Sequence, residues 1–352
     1  MNTKIAAIVV VLIMAVAGIA VIAVNTNGHN DGTDTVTITE TSGNEVKVTL
    51  PIKRVCILNL HAGEYMHIMG VSDLVVSADD STISMANSVY GGVTDVGSNK
   101  KPTTELVVSS TPDIVIYQPG RPLSESQISS FTSKGIQVVG LGCYGETMSR
   151  DAQELSKLFG DDAKEKLNEF FDWYNNAESK ILESAKAIED GQSYLFYFTS
   201  LKKYYNTNSE LNNTMGRFGA VNALIGMGVD PGSGSTSSPA TEMIYNYDHA
   251  KGIDLILMRS SDGRTLDDAY NDFIASGSPF DYTELNAVKN GKVYVINTNA
   301  LAGPRDVAGL ACIVEALLGH APSVSADDLM TEYNERFGFK ESISPCMKSY
   351  GA

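Results

Sequence analysis

Two α/β lobes with mainly parallel central sheets, joined by one long α-helix, are what this sequence predicts, and three observations predict it. Residues 54–142 alternate apolar strand-like runs with helical stretches, residues 161–189 carry one unbroken helical stripe, and from residue 194 the alternation restarts. Strands and helices alternating at this pitch predict a sheet whose strands run parallel, covered by helices on both faces. With 352 residues, 43% of them hydrophobic and 19% charged, the chain is long enough for two packed cores. The organisation read from this pattern is a terminal segment with a spacer (1–35), a first lobe (36–160), a connecting helix (161–190) and a second lobe (191–352).

Residues 5–24, IAAIVVVLIMAVAGIAVIAV, carry no charge and follow Lys4. At 1.5 Å rise per residue they span roughly 30 Å, the thickness of a bilayer core, so they read as an uncleaved membrane anchor or as an export signal. No cysteine follows them, which disfavours a lipoprotein anchor, and NTNGHNDGTDT (25–35) is a polar spacer. VTITETSGNEVKVTL (36–50) alternates as a hairpin about Ser42-Gly43-Asn44. RVCILNL (54–60) is a buried strand and GEYMHIMG (63–70) the helix after it. LVVSA, DIVIYQ and IQVVGLG are further strands, with the helix LSESQISSFTSKG between the last two.

In 161–189, Ala163, Leu167, Phe170, Phe171, Tyr174, Ala177, Ile181, Ala185 and Ile188 recur at steps of three and four. Acids fill the first turn and Gly191 follows the end. A helix of that length spans roughly 43 Å, more than an α/β crossover needs, and reads as a rigid spine. Beyond it, YLFYFT (194–199), DLILMR (254–259) and KVYVINT (292–298) are strands. MGRFGAVNALIGMG, LDDAYNDFIASG and VAGLACIVEALLG are helices, and GVDPGSGSTSSPAT is a surface loop.

Several function classes are excluded or weakened. A formal net charge of -16 argues against nucleic acid, whose phosphates need clustered Lys and Arg. There is no GxSxG elbow, no GxxxxGK[ST] loop and no HExxH pair, and the glycines of RFGAVNALIGMG open no helix directly after a strand. The five histidines are scattered singly and the four cysteines (Cys56, Cys143, Cys312, Cys346) form no CxxC pair, so no resident metal site and no intrinsic cofactor are expected. Cys312 with Cys346 is a conceivable disulfide, Cys56 reads as packed inside its strand, and Asn212 heads a glycosylation sequon of low specificity.

One phrase is stated twice: TELVVSSTPDIVI (104–116) and TEMIYNYDHAKGIDLIL (241–257) each place a glutamate ahead of an Asp-led apolar strand. With KRVCILNLHAGEYMHIMGV, where Gly63-Glu64 stands for a commoner Thr-Glu pair, and with LNAVKNGKVYVINTNALAGPR followed by DVAGL, the order of motifs from 53 to 320 resembles one family. It is that of the ABC-transporter solute-binding proteins of the helical-backbone class (class III), which receive siderophores, haem and cobalamin. The resemblance implies two Rossmann-like lobes, no catalysis, and delivery of a metal chelate to an ABC permease dimer with its ATPase subunits. It further implies a monomer on the extracytoplasmic face of the membrane, tethered by residues 5–24 or released. By position, Glu105 and Glu242 resemble the family's two permease-docking carboxylates; the bland reading is that each only complements its helix dipole.

The family's ligand lies between the lobes, where strand ends meet the cleft. The resemblance thus implies His61, Tyr90, Gln118, Arg121 and Tyr144 as ligand contacts on the first lobe, and Ser200, Tyr204, Arg259 and Arg305 on the second. Pro304 reads as a first helical residue, so the Arg305 cation opposes the helix dipole unless an anion sits there: a ligand, or Asp306. His61 either coordinates the metal of a bound chelate or caps the helix it precedes. Tyr197 is an aromatic wall or core, and Lys202 and Lys203 are cleft cations or solvated loop charges. The alternatives are a molybdate or tungstate receptor of the same fold and, from another class, an enzyme such as a metal chelatase.

Overall fold

The computed structural model describes residues 34–260, 263–340, 343 and 345–351. The predicted anchor at 5–24, and the spacer as far as residue 33, lie outside the described residues. Within the unit Thr35–Ala352, an antiparallel hairpin comes first, β1 (Thr35–Thr39) against β2 (Glu45–Thr49). The first lobe then lays down β3 (Val55–Leu58), β4 (Val75–Ala78), β5 (Thr94–Asp95), β6 (Ile114–Tyr117) and β7 (Gln137–Gly140). All pair in parallel, in the order β5-β4-β3-β6-β7. The central strand β3, VCIL, is buried at every position, which is why its sequence is continuously apolar and not alternating.

The second lobe has its own sheet: β8 (Ser193–Phe198), β9 (Lys203–Tyr205), β10 (Val221–Asn222), β11 (Thr236–Ser237), β12 (Leu255–Arg259), β13 (Val293–Ile296) and β14 (Met347–Tyr350). Strands β10, β8, β12 and β13 run parallel, while β9, β11 and β14 join antiparallel. The fold is therefore α/β, with two mainly parallel sheets.

Between the sheets runs the connecting helix Asp161–Ala185, 25 residues and about 37 Å long. It stops four residues before the periodic pattern does. Its last carbonyls, Glu183, Ser184 and Ala185, accept from the amides three residues on, which tightens the chain ahead of Gly191. Its buried stripe also differs from the predicted one, because Trp173 is inside while Phe171 and Tyr174 are only half-buried. The reason is a C-terminal helix, Ala326–Phe337, that the sequence pattern did not announce: Tyr333 and Phe337 pack on Trp173 at ring distances of 6.0 and 5.5 Å. One buried cluster is continuous from Val55 and Ile116 through Phe170 and Ile181 to Leu257 and Leu317. The two lobes thus share a core through the helix, which resists large hinge rotation.

The helix expected at 215–228 is divided. Glu210–Arg217 is helical, Val221–Asn222 becomes a strand beside β8, and only Ala223–Gly226 resumes a turn. Gly219 breaks it, with φ of 76° in the left-handed region. Asn212 of the sequon is half-buried and accepts from Tyr194 Oη at 3.0 Å and Asn222 Nδ2 at 3.2 Å, so its amide anchors this helix. All four cysteines are buried free thiols, and the conceivable Cys312–Cys346 disulfide is not formed. Burial pushes the Cys56 thiol up to about 12.

Candidate functional site

The C-terminal ends of both sets of parallel strands open on one cleft of about 1150 Å³. His61 follows β3, Gln118 and Arg121 follow β6, Tyr144 follows β7, Arg259 ends β12 and Thr298 follows β13. Of the nine sequence-predicted contacts, His61, Gln118, Arg121, Tyr144, Arg259 and Arg305 line this cleft.

Three do not. Tyr90 is 1% exposed and donates its hydroxyl to the Gly63 carbonyl at 2.6 Å, its ring packed in the first lobe's core. Tyr204 pairs across the sheet with Tyr197, ring to ring at 5.0 Å, in the second lobe's core. Successive strand residues face opposite sides, so it is Tyr205, one residue on, that reaches the cleft. The same pairing makes Tyr197 a core residue. Ser200 sits on an exposed turn outside the lining; Lys202 is a solvated charge on the same turn and Lys203, the first residue of β9, is exposed as well.

Arg305 departs from expectation in a different way. It is 4% exposed, and its counter-ion is neither a ligand nor Asp306 but Glu64 of the other lobe, itself 3% exposed. Arg305 Nε lies 2.9 Å from Glu64 Oε1, and Nη2 donates to Oε2 at 3.1 Å. Tyr333 Oη donates to Glu64 Oε1 at 3.3 Å, so first helix (Leu60–Ile68), closing helix (Asp306–Leu318) and C-terminal helix converge on one carboxylate. Sequence reasoning noticed Gly63-Glu64 and Arg305 separately, and a sequence separation of 241 hid the pair. His61 is not a cap either: Asn59 is the N-cap, its Oδ1 accepting from His61 N–H at 3.0 Å.

The other two arginines among the sequence-predicted contacts come from opposite lobes. Arg121 Nη1 donates to Asn99 Oδ1 at 2.7 Å. Arg259 donates Nε to Thr298 Oγ1 and Nη1 to Tyr205 Oη, and its guanidinium lies 5.0 Å from the Phe198 ring centre. Both are aimed by neutral groups, and neither forms an ion pair among the described residues.

Two of the acids that line the cleft, Asp306 and Glu210, accept hydrogen bonds from the protein. Asp306, half-buried, accepts from Tyr174 Oη at 2.7 Å. Burial pushes its carboxyl up to about 7, the Tyr174 hydrogen bond working against the rise, and Glu178 and Glu210 adding to it. Burial also raises Glu178, with Arg217 opposing the shift. Glu210 reaches across the cleft, its Oε1 accepting from Glu146 N–H of the first lobe at 3.1 Å. The helix Glu210–Arg217 presents Glu210, Asn213, Thr214 and Arg217, at steps of three and four, to the cleft. Tyr174, Glu178, Asp306, Tyr205 and Arg217 were missed as cleft residues; Tyr174 had been placed in the buried stripe of the spine, and Glu178 four residues on is the signal that one edge of that helix faces solvent.

Glu105 and Glu242 are both exposed in the first turn of their helices, Thr104–Ser109 and Thr241–Lys251. Among the described residues no group of three or more His, Cys, Asp or Glu side chains is placed to hold a metal ion, and no helix is long and apolar enough to cross a membrane.

No curated protein sequence matches the chain. Solved structures with the same fold include a periplasmic heme-binding protein from Pseudomonas aeruginosa, 15% identical, covering 86% of this chain and 99% of that one with a TM-score of 0.63. The TroA-like periplasmic binding protein FepB from Veillonella parvula is 17% identical over 87% of this chain and 97% of its own, at a TM-score of 0.66. The petrobactin-binding protein YclQ from Bacillus subtilis is 17% identical over 81% and 99%, at 0.58. At these identities the structures speak for the fold, which is that of class III binding proteins. The model of one sequence family, described as periplasmic binding protein, matches residues 65–300, well over half of the sequence, and the chain belongs to that family.

Proposed function

We propose that this protein is the extracytoplasmic receptor of an ABC importer, capturing an anionic metal chelate of the iron-siderophore, haem or corrinoid type between its lobes. It hands the chelate to a permease dimer driven by ATPase subunits, docking through Glu105 and Glu242, and performs no catalysis. Residues 5–24 tether it to the membrane or are removed on export.

The observation that carries this reading is the pair Arg121 and Arg259, facing one cleft from two lobes without carboxylate partners among the described residues. An anion held between them draws the lobes together, whereas Asp306 and Glu210 already have donors. A cleft of about 1150 Å³ suits a chelate far better than a tetrahedral oxyanion, and the Arg305 that a molybdate site needs is neutralised by Glu64. Heme and petrobactin, named for two of the structural neighbours, are in the proposed class.

The test is a thermal-shift panel of haem, ferric siderophores, a corrinoid and molybdate on the whole chain. A cognate ligand at 100 times its dissociation constant adds about 2.7 kcal/mol of stability. Arg121→Ala and Arg259→Ala each weaken an anionic chelate about tenfold or more, from loss of a charge-assisted contact of roughly 1.5–3 kcal/mol. Preferential stabilisation by molybdate, or turnover of a chelate, overturns the proposal.

A further inference from the structure

Charges of both signs line the interlobe cleft, and the fold keeps them from pairing. Arg121, Arg217 and Arg259 share that cavity with Glu178, Glu210 and Asp306, and none of these side chains forms an ion pair among the described residues. Arg121 and Arg259 stand at strand ends. The acids stand on helices: Glu178 on the connecting helix, Glu210 in the first turn of Glu210–Arg217, Asp306 in the first turn of the closing helix. The donors that meet two of them are neutral, the Tyr174 phenol at 2.7 Å from Asp306 and the Glu146 backbone amide at 3.1 Å from Glu210, so each supplies a hydrogen bond and no countercharge.

A carboxylate half out of water and beside other carboxylates holds its charge poorly. Burial, with Glu178 and Glu210 adding to it, brings Asp306 up to about 7, and burial raises Glu178 against the pull of Arg217. Arg217 is exposed and is one positive charge against three negative ones. What this end of the cavity lacks is a cation. A metal ion does not fit, since among the described residues no group of three or more His, Cys, Asp or Glu side chains is placed to hold one. A protonated amine does fit, because it needs no fixed coordination set and donates charge-assisted hydrogen bonds to separate carboxylates. A purely anionic guest would meet Arg121 and Arg259 and bring a further negative charge beside the acids.

We propose that the cargo is bipolar: an anionic metal-binding head lies between Arg121 and Arg259, and an arm ending in a protonated amine lies among Asp306, Glu178 and Glu210. This rests on the receptor reading given above and narrows it to hydrophilic, amine-bearing chelates, setting aside haem, whose side groups carry no cation. A cavity of about 1150 Å³ has room for both head and arm. Asn213 and Thr214, which line the cleft from the same helix as Glu210, add neutral hydrogen-bonding groups for the arm. A site built to pair with a polar group of its guest rejects the analogue that lacks it, so the acids set specificity as well as affinity.

The experiment uses two anionic ferric heads, a tris-catecholate and a citrate dihydroxamate, each made with a primary amine on its arm and again with that amine acetylated, which removes the charge and keeps the head. Calorimetric titration into the full-length protein compares the twins. For a head that binds, the free amine is expected to bind about tenfold or more tighter than its acetylated twin. Asp306→Asn with Glu178→Gln is expected to bring the twins level without weakening the acetylated one. Glu169→Gln with Asp172→Asn removes two charges from the connecting helix outside the cleft, and is expected to leave the preference intact. Twins that bind the parent equally, or an acetylated twin that binds tighter, overturn the proposal and leave the receptor reading standing. So does a preference that survives the cleft variant, or one that the control variant also loses, which is long-range attraction to an acidic protein. If none of the four complexes binds, both readings fall. Should the cleft variant fail to fold, Glu178→Gln alone is expected to lose part of the preference, and an unchanged preference there overturns the proposal.

Discussion

Replacing Arg305 by methionine keeps the bulk of the side chain and removes its charge. The Glu64 carboxylate, 3% exposed, is then left with Tyr333 Oη at 3.3 Å and His61 Nδ1 at 3.6 Å as its only polar neighbours from the cluster. Breaking a buried pair from one side costs about 3–5 kcal/mol, because the surviving charge stays desolvated. Removing both charges in Glu64→Leu with Arg305→Met leaves no such charge, and the double variant is expected within about 1–2 kcal/mol of the parent. Urea unfolding followed by Trp173 emission reads this well, since Trp173 is the single tryptophan and its ring lies 6.0 Å from that of Tyr333. A single variant as stable as the parent, or a double variant no better than the single, refutes the reasoning. Either outcome returns Arg305 to the ligand-contact role its sequence position suggested.

Glu105→Ala with Glu242→Ala is expected to leave ligand affinity unchanged and to abolish uptake in cells; normal uptake removes the docking assignment. Gly303→Ala carries both a left-handed φ and the clash with His61, whereas Gly191→Ala has a φ of 86° and nothing within 4 Å. The second should lose only about 1–2 kcal/mol of backbone strain and the first distinctly more, by urea midpoint. Asp306 has its carboxyl raised to about 7, so the folded state binds more protons than the unfolded state between the ordinary carboxylate range and that value. Stability from this group is therefore full at low pH and falls as pH rises toward about 7. Asp306→Asn is expected to flatten that slope in pH-dependent melting.

Periodicity made most of the fold legible. The uniformly buried β3 and the three-and-four spacing from Ala163 to Ala185 state their structure locally, because each depends on its own side chains meeting a core. The C-terminal helix and β14 were silent because MKSY on an edge is half-exposed and the apolar face of Ala326–Phe337 meets its partners, the closing helix and Trp173, only in the folded chain. At the site, strand-end reasoning found Gln118, Arg121, Tyr144 and Arg259, which lie where any parallel sheet opens. It failed at Tyr204, where a shift of one residue changes the face of the sheet. It failed again at Arg305, where the partner is a glutamate on the opposite lobe. Contacts between distant segments have no local signature, and both the Glu64–Arg305 pair and the Tyr174–Asp306 bond are of that kind.

The most direct test is a crystal of the full chain with whichever ferric complex stabilises it, examined by anomalous scattering at the iron edge. The account predicts one strong peak inside the interlobe cleft, with the chelator's anionic groups within hydrogen-bond distance of Arg121 and Arg259 together. A peak outside that cleft, or a guest touching one lobe alone, contradicts it.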